Sequence, residues 1–180
     1  MRHFRRMTSK PRQTRQGPRR WLWLFLSVAP LGALAAPALK PYAGEQATFV
    51  LPTLAGEPYA LAKHRGEAVL VNFWATWCPP CVKEMPSLER LAERLAGEPF
   101  ALVTINLGET PDVVAAFVEA HDLELTVLID ADGAASRNWG VFAYPSTFLV
   151  DPDGRITHVR YGEAEWNDPA IVSMIESVLP

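Results

Sequence analysis

The sequence predicts a three-layer α/β/α fold, a mixed central sheet with helices on both faces. Three observations point to it. Two nearly continuous apolar runs of strand length, Ala68–Trp74 (AVLVNFW) and Ala101–Leu107 (ALVTINL), suit strands covered on both faces. Stretches with apolar residues at helical spacing alternate with them. A hairpin pattern and a last helix close the chain, adding an antiparallel end to a parallel sheet.

The elements follow in order. Thr48–Leu54 holds a short strand, and Gly56-Glu57-Pro58 a turn. After Ala68–Trp74, the residues Met85, Leu88, Leu91, Ala92 and Leu95 recur at helical spacing, with Glu89, Arg90, Glu93 and Arg94 between them. Gly97 stops this helix, and Pro86 removes one of its internal bonds. Ala101–Leu107 is the second buried strand. Thr110 caps the next helix and Pro111 opens it, with Val113, Val114, Phe117 and His121 as the inner face. Leu125–Asp130 is a third strand. Ser146–Asp151, the turn Pro152-Asp153-Gly154 and Arg155–Tyr161 form a hairpin. Asp168 and Pro169 start a final helix with Ile171, Met174, Ile175 and Val178 inside.

The chain has 180 residues, 49% hydrophobic and 21% charged, which is ordinary globular composition. Its net charge of -3 hides a division. Eight basic residues and no acid stand in the first 20 positions, leaving nine basic residues against all 20 acids. A globular part that acidic excludes a phosphate track, so no nucleic-acid partner is expected. The apolar stretch Trp21–Ala36 is shorter than the roughly 20 residues of a spanning helix, and Ala33-Leu34-Ala35 has the small-x-small form of a cleavage site. Residues 1–36 therefore read as a secretory signal peptide or, left uncleaved, an N-terminal membrane anchor. Residues 37–44 read as a linker and 45–180 as the globular domain. Export to the periplasm or beyond puts both cysteines where disulfides persist.

Those cysteines carry the chemistry. Cys78-Pro79-Pro80-Cys81 follows a buried strand and opens a helix. Unpaired N–H groups and the positive end of the helix dipole stabilise a thiolate there. Cys78, at the helix mouth, is the expected nucleophile, and Cys81, one turn in, the resolving thiol. Structural zinc needs four ligands, and His3, His64, His121 and His158 form no H-x-x-x-H set, so no metal is expected. A purely structural disulfide closing so small a loop would contribute only about 2 kcal/mol. No methionine or histidine cluster supports a copper carrier.

The stretch Val69–Pro86 (VLVNFWATWCPPCVKEMP), with Gly56, Gly66, Tyr144–Val150 and Asp153-Gly154, resembles the TlpA-type thioredoxin-like family of exported thiol-disulfide oxidoreductases. The resemblance implies a thioredoxin-like fold with an N-terminal extension and an αβ insertion. It implies dithiol/disulfide exchange without a bound cofactor. Pro145 matches the cis-proline that faces the cysteine pair in that fold, and Tyr144 would offer its backbone to an extended substrate. Trp77 would be an apolar lip of the site or part of the core; Trp74 reads as core. Glu84, three residues after Cys81, matches an acidic residue that could carry the proton of Cys81, or is a solvated first-turn glutamate. Asn72 departs from cytoplasmic thioredoxins, which hold a titratable Asp at that strand position. Neither Pro79 nor Pro80 has an N–H to offer Cys78, which favours a reducing pair. Trp77, Pro79 and Tyr144 are the residues expected against substrate.

The implied function is a reductant of disulfides in other exported proteins, for instance in cytochrome c or copper-site maturation, fed by a membrane electron donor and monomeric. A non-catalytic binding module and an oxidant or isomerase are the alternatives. A peroxiredoxin is excluded by Val71 and Ala75, which stand where its motif needs Pro and Thr.

Overall fold

Strand Ala68–Trp74 (β4) is buried at every position and is the axis of the protein. In this computed structural model, which describes residues 39–43 and 48–180, it lies inside a six-stranded sheet of order β1-β8-β7-β4-β5-β6. The partners are β1 (Lys40–Pro41), β5 (Phe100–Leu107), β6 (Thr126–Asp130), β7 (Ser146–Val150) and β8 (Ile156–Tyr161). β4, β5 and β6 run parallel. β7, β8 and β1 add the antiparallel side. A separate two-stranded ribbon, β2 (Val50–Pro52) with β3 (Pro58–Ala60), precedes a short 3-10 turn at Leu61–His64. The leader assigned to residues 1–36 lies outside the described residues.

Side chains alternate across a strand, so β4 feeds two cores. Leu70 and Trp74 face one core with Leu149, Val127 and Ile129. That face is covered by α1 (Pro79–Arg94), α2 (Pro111–Ala120) and α4 (Pro169–Glu176). Val69, Val71 and Phe73 face the other core with Val103, Ile105, Phe148, Phe49 and Trp139, beside the short helix α3 (Ala134–Asn138). Asn72 falls on the α1 face by the same alternation.

Several expectations about single elements need correction. The 37–44 stretch is not all linker: Lys40 and Pro41 pair with Val159 and His158, and Leu39 is fully buried. Thr110 occupies the cap position of α2 but its side chain makes no capping bond. Val113 is half exposed and His121 points outward, because the inward stripe of α2 is Val114, Phe117 and Val118, spaced three and four apart. His121 instead lies on the Phe117 ring, 3.9 Å between centroids. Val178 packs against the core but lies just past the end of α4, and Val172 is a further buried residue of that helix. Helix α3 is additional; the fully buried carboxylate of Asp130 accepts the N–H groups of Ala135 and Ser136 and the Ser136 hydroxyl, satisfying its first turn.

Candidate active site

Helix α1 begins where β4 ends, and Cys78 is its N-cap. Cys78 and Cys81 form a disulfide with Cα atoms 5.3 Å apart. Prolines at 79 and 80 suit the first helical positions, where an N–H would have no helical partner. They also mean that the first backbone N–H inside the helix belongs to Cys81. Cys81 is fully buried, while Cys78 keeps a small exposed edge at 4%.

The turn before Cys78 is held from across the sheet. The Thr76 N–H and hydroxyl both donate to the carboxylate of Glu109, in the β5–α2 loop. The Asn106 side-chain amide donates to the same carboxylate at 2.8 Å. Sequence patterns do not single out Glu109. Its target lies 33 residues away, and no periodicity or motif connects the two.

Glu84 is 2% exposed, which excludes the solvated reading. It lies one turn beyond Cys81 on α1. Asn72 Nδ2 donates to its Oε1 at 2.7 Å; the Ala164 N–H and Trp166 Nε1 donate to its Oε2 at 3.0 and 2.9 Å. Burial pushes its pKa up to about 7, against the pull of the three hydrogen bonds and with a smaller upward push from Glu163. The segment after β8 forms this roof. It is pinned to α1 by the Lys83–Glu163 and Arg90–Glu165 ion pairs, and by Ser87, whose Oγ accepts the Trp166 N–H. A cleft of about 320 Å³ lined by Lys83, Glu84, Arg160, Glu163, Ala164 and Glu165 opens beside the carboxyl.

The Tyr144–Pro145 bond is cis. Pairing of Phe73 with Ser146 brings Pro145 to the end of β4 from which the cysteine loop leaves. The Trp77 ring meets Tyr144 edge-on, 6.0 Å between centroids, and Trp77 is 62% exposed. Trp77 is therefore exposed beside Tyr144 and is not core, whereas Trp74 is wholly buried. Phe142, also exposed and two residues before Tyr144, packs on Tyr161. Among the described residues no group of acidic, histidine and cysteine side chains is placed to hold a metal ion. His64 bonds Glu67, His121 the carbonyl of Phe117 and His158 the Thr157 hydroxyl.

A family model described as AhpC/TSA matches residues 43–159. The chain belongs to the AhpC/TSA family. Within that family it is similar to proteins named for thiol-disulfide exchange. It is 35% identical over 119 residues to the thiol-disulfide oxidoreductase ResA of Bacillus thuringiensis subsp. konkukian, covering 66% of this chain and 69% of that protein. It is 39% identical over 123 residues to the thioredoxin-like protein YneN of Bacillus subtilis, covering 66% and 71%. Among solved structures it resembles StoA from Bacillus subtilis, with TM-score 0.63, 26% identity and coverage of 72% of this chain and 98% of that one. A thiol:disulfide interchange protein of the thioredoxin family from Chlorobium tepidum gives TM-score 0.64, 26% identity and coverage of 81% and 99%. These relatives agree with the thioredoxin-like resemblance carried by the W-C-P-P-C string, and the AhpC/TSA chain described here is a thiol-disulfide oxidoreductase.

Proposed function

We propose that this oxidoreductase is a reductant of disulfides in other exported proteins. The observation that carries the reading is the fully buried Cys81 one helical turn from a buried carboxyl whose pKa lies near neutrality. In the reduced protein the Cys78 thiolate attacks one sulfur of a client disulfide. That S–S bond breaks, a mixed disulfide forms, and the departing client thiolate takes a proton. Cys81 then loses its proton to Glu84 and attacks the Cys78 sulfur. The second client thiolate leaves, and the Cys78–Cys81 disulfide remains. Two electrons have passed to the client, and a membrane dithiol donor restores them. A group that accepts a proton near pH 7 suits the second step, because a buried thiol does not ionise unaided.

Pro79 and Pro80 withhold N–H groups from the Cys78 thiolate. The thiolate is then less stabilised and the pair more reducing. Trp77 and Tyr144 form the lip against which a client segment lies, beside Pro145, with Pro79 on the same edge. Residues 1–36 export the chain, as a cleaved signal or as an inner-membrane anchor. Clients in cytochrome c or copper-site maturation fit an extracytoplasmic reductant. The test is trapping: Cys81→Ser, expressed with its leader in the exporting host, should accumulate mixed disulfides on Cys78 that a reductant releases. Their absence, with the wild-type protein recovered from the same cells mostly oxidised and inert, would reject the reading.

A further inference from the structure

Asn72 stands at the centre of the site and has no assigned role. It is fully buried on β4, and its register partner on β7 is Thr147, two residues after Pro145. One Nδ2 hydrogen goes to Glu84 Oε1 at 2.7 Å and the other to Thr147 Oγ1 at 2.9 Å. Its Oδ1 is buried and has no donor among the described residues. A buried acceptor without a donor costs stability, so packing alone would favour an apolar side chain here.

The amide becomes intelligible from the two protonation states of Glu84. As a carboxylate, Glu84 needs donors and has three, from Asn72, Ala164 and Trp166. As a carboxylic acid it carries an O–H that needs an acceptor. The backbone and indole donors cannot supply one. Asn72 can: a half-turn of its terminal amide puts the spare Oδ1 where Nδ2 was. An aspartate at this position would instead place two carboxyls in hydrogen-bond contact, where they could not both ionise. An aliphatic residue would serve neither state.

We propose that Asn72 is a positioning residue for the proton-handling carboxyl, tying Glu84 to the strand that follows Pro145 and serving as its hydrogen-bond partner in both protonation states. This rests on the reading of Glu84 given under the proposed function. The charged groups around Glu84 are Glu163 and Glu165 of the roof, Lys83 and Arg90 of α1, and Arg160 of β8, apart from the cysteine pair itself. From β4 and β7 the groups that meet it are the uncharged Asn72 and, through Asn72, Thr147. Glu84's titration is therefore distinguishable by site-specific observation.

The experiment follows the Glu84 side-chain carboxyl carbon by NMR as a function of pH in the oxidised protein, alongside the Asn72 side-chain amide signals. In the wild type both should report one midpoint. Asn72→Ala should raise the Glu84 midpoint by about half a unit to one unit, the difference between losing a hydrogen bond to the charged carboxylate and losing a weaker one to the neutral acid. Asn72→Asp should split the titration into two steps. In protein carrying a mixed disulfide between Cys78 and a model thiol, the pH midpoint for its resolution by Cys81, with the model thiolate leaving, should move with Glu84 in Asn72→Ala. A Glu84 midpoint unmoved by Asn72→Ala overturns the proposal. So do wild-type amide signals that ignore the Glu84 titration, a measurement that needs no variant to fold. A Glu84 midpoint that moves while the exchange profile does not would uphold the placement of Asn72 and remove Glu84 from the exchange step.

Discussion

Glu84→Gln should abolish a specific pH dependence of stability. In the folded protein burial holds Glu84 at about 7, against an ordinary value of 4.5. The folded chain therefore binds more protons than the unfolded chain between those two values. Stability from this group is complete below about pH 4.5 and is lost as pH rises through about 7. At 1.36 kcal/mol per unit, the loss is about 3 kcal/mol. The substituted glutamine stays neutral throughout. Its single oxygen can keep the Ala164 and Trp166 donors while its amide meets Oδ1 of a turned Asn72. Urea denaturation of oxidised wild type and variant from pH 4 to pH 9 measures the effect. The difference between them isolates Glu84 from the other acids, which both proteins share. The variant should gain on the wild type by about 3 kcal/mol across this window, most of it between pH 5 and 8. Parallel curves, or a variant that loses ground as pH rises, would refute the assignment of Glu84 as a buried carboxyl whose pKa is raised to about 7.

Other substitutions separate structural from reactive roles. Glu109→Ala removes the acceptor for three donors, two of them on Thr76, and should cost about 2 kcal/mol in urea while loosening the turn before Cys78. Trp77→Ala, at an exposed lip, should leave stability within about 0.5 kcal/mol but slow exchange with a protein disulfide more than with a small one. Equal slowing of both would remove Trp77 from client contact. Pro79→His should lower the Cys78 pKa and make the pair more oxidising, as read from iodoacetamide alkylation against pH; an unchanged or higher pKa contradicts the role given to the prolines.

Sequence disclosed what is local. β4 was legible to the residue because a seven-residue run buried on both faces leaves no choice of period. The cysteine pair was legible because the helix mouth, the two prolines and both thiols are contiguous. The phase of α2 was not, because Val113 and Val114 are adjacent and only the packing of Val114 against the sheet chooses between them. β1 was missed because a lysine and a proline carry no strand pattern. The state of Glu84 was out of reach for the same reason as the grip of Glu109. Its roof, Ala164 and Trp166, comes from 80 and 82 residues downstream, and nothing in a helical repeat announces it. Asn72 could be seen as a departure from a titratable strand residue. Only the structure shows that its side-chain amide donates to the buried carboxyl of Glu84.

Whether this protein donates electrons to its clients is decided by the reduction potential of Cys78–Cys81, measured in protein starting at Ala36 against glutathione buffers. A reductant of the kind proposed should give about −250 mV or lower, at the thioredoxin end of the scale. A value between about −120 and −180 mV would identify an oxidant or isomerase and contradict both the reductant assignment and the reading of Pro79.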